Sequence, residues 1–398
     1  MWIVITLSKI NLNTSPNNFF EVAIIGGGIT GIGLLRDLSL HGVKTALIEK
    51  NSFASQTSSQ TSKMLHGGIR YLKTLDFDLI AEALQEKEVW LKLLPEYCER
   101  KNFYFPLYKK NTPSPFTLNL GLSFYDLLSH FKNRHQMIGS KKLLSIFPTL
   151  ASQHLLGAGV YSDAIMSDQK LALACLQDAL HESCVSTFEH NFLQTVEPAS
   201  KGFHLTLSSG KKISCAHLVF CTGPFTDKLL ENFNFLNWKP RLSLSKGSHL
   251  WVSHKIFNMP HPLVLPVDNK RIVFAIPHKE AILLGTTEEK DETFSLEISP
   301  AEKIYLQSVW NSYFPAHPLH EEFIVGSFAG IRPLVSEGNK ELGLVSRHHQ
   351  VFRPHPLIHV ILGGKYTTFR TMVQETARHL CLDLGKSYNP NKTLQNLR

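Results

Sequence analysis

No apolar run in this sequence approaches the ~18 residues that a membrane-spanning helix needs. The opening MWIVITL gives way after seven residues to the polar stretch NLNTSPNN, too short for a signal-peptide core or a span. The six cysteines, Cys98, Cys175, Cys184, Cys215, Cys221 and Cys381, include no CxxC pair and no metal-ligand spacing. They fit thiols held mostly in the core, in a reducing compartment, and they assign no metal. A block of Lys/Arg is missing too, which leaves nucleic acid the weakest partner for the chain's charge. That charge is still considerable: 41 Lys+Arg against 33 Asp+Glu, a formal +8. A surplus of this kind favours anionic partners, a phosphorylated substrate or an acidic membrane surface. Signs of disorder are also lacking, with 43% hydrophobic and 19% charged residues in 398. A soluble chain of this length is expected to form two intimately packed domains.

EVAII (21–25), GGGITGIG (26–33), LLRDLSLHG (34–42) and VKTALIEK (43–50) read as strand, glycine turn, helix and strand. Gly26, Gly28 and Gly31 make the GxGxxG pattern of a dinucleotide site. The first glycine permits the tight turn, the second lets backbone approach a pyrophosphate, and the third lets helix pack on strand. The helix N-terminus then offers free N–H groups to phosphate. Glu49, 18 residues after Gly31, is placed to accept hydrogen bonds from a ribose and disfavours a 2′-phosphate. NAD and FAD both satisfy this unit. Beyond it the chain enters NSFASQTSSQTSK and does not continue βαβαβ. FHLTLSSGKKISCAHLVFCTGPF (203–225) reads as a hairpin, a buried strand and a TGPF turn, an arrangement typical of flavin domains.

Further along, 73–97 has apolar residues near helical spacing and reads as a packed amphipathic helix. Residues 102–150, rich in Phe, Tyr and Pro, read as an irregular connection with a covered satellite core or an exposed apolar surface. Asp168 is a candidate helix N-cap, and AGIRPL reads as a rigid turn carrying Arg332. KRIVFAIP (270–277) and AILLGTTE (281–288) read as adjacent antiparallel strands. In the first, Arg271 shares a face with Val273 and Ala275 and is expected to reach the substrate pocket.

In order along the chain, IIGGGITGIG, ALIEKNSFASQTSSQTSKMLHGGIRYLK, YSDA, TGPF, SKGSHLWV, DNKRIVFAIP, LLGTTE, FAGIRPL and ILGGKYTTFR resemble the FAD-dependent glycerol-3-phosphate dehydrogenase family. Its members are respiratory flavoenzymes that oxidise glycerol 3-phosphate and pass electrons to quinone. The likeness runs from about residue 20 to about residue 375. It implies an α/β fold, with a Rossmann-like FAD-binding domain of the amino-acid-oxidase/glutathione-reductase type and an antiparallel-sheet substrate domain. The expected division assigns 20–100, 150–235 and 325–385 to FAD, and 101–149 and 236–324 to substrate. Residues 1–19 are then an N-terminal extension and 386–398 a C-terminal tail. The chain ends 28 residues after Arg370, where the family's familiar bacterial members continue into a helical domain. Its GTT motif is followed by Glu288 where aspartate is common.

The resemblance also implies roles. His249 becomes the candidate general base, with an ordinary pKa of ~6.5, and Arg332 its neighbour at the substrate. Arg70 and Tyr71 are expected on the substrate phosphate with Arg271 and Lys365, Arg being preferred for forked contacts. Gly26, Gly28, Gly31, Glu49, Ser62, Lys63, His66, Gly67, Gly68, Gly223, Gly364, Lys365 and Thr367 are expected along the cofactor. Gly67 and Gly68 would let backbone pass close to the flavin ring, and Lys365 with the following helix would face a reduced flavin. Electrons would pass to quinone, with the protein peripheral to the cytoplasmic face of the inner membrane. An oxidase making peroxide, an amino-acid or 2-hydroxy-acid oxidase, and a non-catalytic FAD-binding relative are the alternatives. Oligomeric state is left open.

Overall fold

A computed structural model describes residues 18–69, 76–110, 112–268, 271–291, 293–336 and 348–398. The chain opens with β1 (Phe19–Ile25), α1 (Ile29–Leu40), β2 (Thr45–Ile48) and β3 (Met64–Leu65). Next come α2 (Phe77–Leu93), β4 (Cys98–Tyr108), α3 (Pro115–Leu128), β5 (Gln136–Gly139) and α4 (Ser140–Ile146). β6 (Leu155–Met166), α5 (Asp168–Leu180), β7 (Val185–Phe188), β8 (Leu193–Ala199), β9 (Gly202–Leu207), β10 (Lys212–Phe220) and α6 (Thr226–Leu230) form the middle. β11 (Leu242–Ser253), β12 (Leu263–Pro266), β13 (Ile272–Pro277), β14 (Ala281–Gly285), β15 (Glu289–Lys290) and α7 (Pro300–Tyr313) follow. The last elements are β16 (Ile324–Val335), β17 (His349–His355), β18 (Ile358–Gly363) and α8 (Phe369–Asp383).

Two sheets organise these elements. The first has the order β17-β18-β10-β1-β2-β7, with the β8–β9 hairpin attached to β10. β1 is central, parallel to both β10 and β2, so Val22, Ala23 and Ile24 are fully buried. An apolar run buried on both faces is what a central parallel strand requires. Helices α1, α5 and α8 cover one face around Ile32, Leu35, Leu171, Val373 and Leu380. A buried Arg36–Asp178 pair at 2.7 Å joins α1 to α5. Arg36 Nη1 also donates to the Thr393 carbonyl at 2.9 Å, tying the C-terminal segment to α1.

The second sheet runs β15-β11-β14-β13-β12-β4-β6-β3, with β16 on β11 and β5 on β6. β13 and β14 pair antiparallel, as their alternating patterns predict. Val273 and Ala275 pack on one face with α4 and α7. Phe274 and Ile276 pack on the other with α2 and α3.

Several expectations change here. Residues 155–166 and 64–65, assigned above to the FAD-binding spans, pair inside the second sheet, because β6 runs antiparallel to β4 and β3 adds beyond it. Residues 102–150 are regular: the FYFPL run continues β4, and Ser114 caps α3 by accepting from Thr117 N–H at 3.0 Å, with Pro115 at the first helical position. Arg332 lies within the twelve-residue strand β16, not in a turn. Its neighbour Pro333 is tolerated because, among the described residues, β16 pairs with β11 alone, which makes it an edge. Ser167, not Asp168, occupies the N-cap position of α5.

Candidate active site

A continuous cavity of about 770 Å³ lies between the two sheets and starts at the glycine turn after β1. The glycines there are sterically forced. A Cβ on Gly26, whose φ is +106°, would sit 2.5 Å from the Cys221 carbonyl oxygen, and one on Gly31 would sit 1.9 Å from that of Gly26. Both obstacles are backbone and cannot yield. Gly28 also lines the cavity. Glu49 accepts from Gly27 N–H and Asn51 N–H, each at 2.7 Å, so it braces the turn as well as lining the cavity. Its oxygens retain lone pairs for a ribose. Ser58, missed in the sequence, accepts from Ile29 N–H at 2.9 Å and fixes the start of α1. Gly223, at φ +54°, and Phe225 follow β10 on the same rim.

At the other end the cavity is lined by Ser62, His66, Gly68, Tyr161, His249, Phe274, Thr286, Arg332, Gly364, Lys365 and Thr367. His249, on β11, is almost fully buried and stacks on Phe328 with ring centroids 4.8 Å apart. Its Nε2 meets Ser62 Oγ at 2.9 Å, and its Nδ1 has no hydrogen-bond partner among the described residues. Burial holds its pKa well below the ordinary imidazole value, reinforced by the positive charges of Arg332 and Lys63. The ring is therefore neutral at neutral pH.

Arg332 donates from Nη2 to Thr286 Oγ1 at 2.8 Å. Two glycines make room for this pair. A Cβ on Gly247 would lie 2.1 Å from Arg332 Nη2, and one on Gly285 would lie 2.3 Å from His249 Cδ2. Lys365 follows Gly363 and Gly364, at φ +75° and +83°, and its Nζ donates to the Gly67 carbonyl at 3.4 Å. Thr367 Oγ1 accepts from His66 N–H at 3.4 Å, linking the two glycine-bearing loops.

Three expected site residues are placed differently and two are not described. Arg271 is exposed, one residue before β13. It does share the face of Val273 and Ala275, but that face packs under α7, where Arg271 hydrogen-bonds Tyr305; Ile272 and Phe274 face the cavity instead. Lys63 does not line the cavity, because its ammonium is held by Asp168 Oδ1 at 2.8 Å and the Ser59 carbonyl at 3.0 Å. Gly67 turns from the cavity towards α2 and α3: a Cβ there would meet Tyr125 Oη at 2.7 Å and Leu84 Cγ at 2.8 Å. Arg70 and Tyr71 lie outside the described residues.

The cavity, the forced glycine turn at a helix N-terminus and the acceptor Glu49 fit a dinucleotide such as FAD. A family match gives this fit a name. Residues 21–369 match the FAD dependent oxidoreductase family. Aerobic glycerol-3-phosphate dehydrogenase from Staphylococcus haemolyticus is 30% identical over 385 residues, covering 94% of this chain and 69% of that protein. Among solved structures, glycerol-3-phosphate dehydrogenase from Bacillus halodurans, complexed with FAD, superposes with a TM-score of 0.76 at 23% identity, over 94% of this chain and 67% of that one. L-alpha-glycerophosphate oxidase from Mycoplasma pneumoniae, with FAD bound, gives 0.73 at 16% identity, covering 96% and 99%. The chain thus spans about two thirds of the length of the dehydrogenases it matches. It belongs to the FAD dependent oxidoreductase family and, within it, to the glycerol-3-phosphate dehydrogenase/oxidase type.

Proposed function

We propose that the protein oxidises sn-glycerol 3-phosphate to dihydroxyacetone phosphate with FAD and delivers the electrons to a membrane quinone. The observation that carries this reading is a neutral, buried His249 beside the Arg332 guanidinium, with Lys365 lining the same cavity, which begins at the glycine turn. Bound FAD would take up the two electrons and one hydrogen released from the carbinol carbon. His249 would accept the hydroxyl proton, with Ser62 fixing the ring's orientation. Arg332, oriented by Thr286, and Lys365 would hold the dianionic phosphate. Gly26, Gly28 and Gly31 would admit the pyrophosphate, and Glu49 the ribose. The same reading places the protein at a membrane surface, since a quinone is lipid-soluble. The six cysteines are free of disulfides, as suits a reducing compartment. Steady-state turnover on glycerol 3-phosphate, with a soluble quinone analogue or with oxygen, tests the proposal. Quinone-dependent product formation supports it. Peroxide in stoichiometric yield, with no response to quinone, would replace the acceptor.

A further inference from the structure

Behind the cavity wall lies a buried polar chain that the proposed reaction does not use. Asp163 on β6, Lys87 on α2 and Tyr125 on α3 are each no more than 2% exposed. Lys87 Nζ donates to Asp163 Oδ1 at 3.1 Å and to the Ser162 carbonyl at 3.2 Å. Tyr125 Oη donates to the same carboxylate, 2.9 Å from Oδ1 and 2.8 Å from Oδ2. It also accepts from Gly67 N–H at 3.0 Å. Ile80, Leu84, Phe103 and Leu122 belong to the apolar cluster around Tyr125. A polar atom that loses its partner in such surroundings is costly to leave unpaired.

The direction of each bond is forced. A backbone N–H can only donate, and a carboxylate can only accept. The single phenolic proton must therefore point at Asp163, which leaves an oxygen lone pair for Gly67. Burial and the facing carboxylate hold the Tyr125 pKa well above the ordinary phenol value, so that proton stays in place. Lys87, bonded at two points, fixes the carboxylate in turn.

Gly67 stands between this chain and the cavity. His66 and Gly68 on either side of it line the cavity, and its own carbonyl accepts from Lys365 Nζ at 3.4 Å. The Tyr125 ring also packs edge-on against that of Tyr161, a cavity residue, with centroids 5.7 Å apart.

We infer that Tyr125, oriented by Asp163 and Lys87, is a positioning residue that holds Gly67 in place and, through the Gly67 carbonyl, the ammonium of Lys365 at the cofactor cavity. Asp163 is the acid of the YSDA run, to which the proposed reaction gives no part. For its purpose the inference rests on the proposed role of Lys365 at the substrate phosphate.

The test uses the FAD-loaded protein with Tyr125→Phe, which keeps the ring and removes the hydroxyl. Gly67→Ala is the second variant, displacing the same loop by sterics with Tyr125 intact. Leu118→Ala, on the same inner face of α3 and 6% exposed, is the control for loosened packing. Three readouts are taken: hydrogen exchange at the Gly67 amide, visible circular dichroism of the bound flavin, and KM and kcat for glycerol 3-phosphate. In Tyr125→Phe the amide should exchange roughly two- to tenfold faster, the equivalent of one hydrogen bond. The flavin signal should change, and KM should rise roughly tenfold with kcat affected less. Gly67→Ala should shift the flavin signal and KM in the same sense. Leu118→Ala should lower the urea midpoint and leave all three readouts at wild-type values. Tyr125→Phe with wild-type exchange overturns the inference, and so does faster exchange with wild-type flavin signal and KM. An equal response from Leu118→Ala would assign the effects to α3 packing and overturn it too. If glycerol 3-phosphate does not reduce the wild type, the proposed activity fails by itself, and exchange and circular dichroism still decide whether Tyr125 positions the loop.

Discussion

Replacing Gly247 with alanine adds one methyl group to β11 and tests how tightly the site is built. The new Cβ would stand 2.1 Å from Arg332 Nη2, 2.5 Å from Arg332 Cζ and 2.5 Å from Thr286 Oγ1. Ordinary contact begins near 3.4 Å, so the guanidinium must retreat by about 1.3 Å or more. Arg332 can do so, because the clash is with the far end of a flexible side chain. Folding should therefore survive, while the hydrogen bond to Thr286 and the placement of the phosphate do not. A misplacement of about 1 Å can cost on the order of 10²-fold in rate. We expect kcat/KM for glycerol 3-phosphate to fall by roughly that factor with FAD content unchanged. Gly326→Ala is the internal control: on the partner strand β16, its Cβ would meet Trp251 no closer than 3.5 Å. That variant should stay close to wild type. Stopped-flow flavin reduction and the flavin-to-protein absorbance ratio measure both quantities. A Gly247→Ala enzyme with wild-type kcat/KM would refute the placement of Arg332 at the substrate.

Two further outcomes follow from other contacts. Phe294 lines the cavity from the loop between β15 and α7 and stacks on Phe225 at 5.2 Å, held at φ +58° by Asp291 Oδ1, which accepts from its N–H at 2.7 Å. Losing an aromatic pair of about 0.5–1.5 kcal/mol, Phe294→Ala should release FAD roughly two- to tenfold faster with KM unchanged; an unaltered release rate, followed by flavin fluorescence, would remove Phe294 from cofactor retention. Glu302 accepts from Ser248 Oγ at 2.6 Å, Thr287 Oγ1 at 2.8 Å and Ser299 N–H at 2.9 Å, with Lys246 Nζ at 3.1 Å. Burial alone would raise its pKa, but these contacts more than offset that and bring it to about 2, from an ordinary 4.5. Because the folded value is the lower, the stabilisation is present above pH 4.5 and is lost as pH falls towards 2. Its size is up to about 3 kcal/mol. Urea midpoints should drop across that window in wild type and less steeply in Glu302→Gln, which is weaker already at pH 7; parallel pH profiles would show that Glu302 does not set the acid limit.

What sequence could reveal here depended on how local the cause was. The glycine turn was legible because Gly26 and Gly31 answer to backbone atoms, at the end of the neighbouring strand and in the turn itself. Strand parity correctly grouped Arg271 with Val273 and Ala275, but parity does not say which face meets the cavity; that was decided by α7 packing on the same side. Arg332 was misread as a turn residue because Pro333 signals one, and only the edge position of β16 makes proline admissible there. Lys63 was lost to Asp168, a partner 105 residues away that no local pattern connects to it. Similarly, the aromatic and proline content of 102–150 masked α3, whose outward stripe offers none of the polar-outside contrast by which amphipathic helices are recognised.

The central claim is that this cavity binds FAD and uses it to oxidise a phosphorylated secondary alcohol. It is tested most directly by adding sn-glycerol 3-phosphate to the purified flavoprotein under strict anaerobiosis and recording the flavin absorbance. The account predicts complete bleaching by glycerol 3-phosphate and almost none by glycerol, which lacks the phosphate that we propose Arg332 and Lys365 hold. A protein that carries FAD yet stays fully oxidised would contradict it.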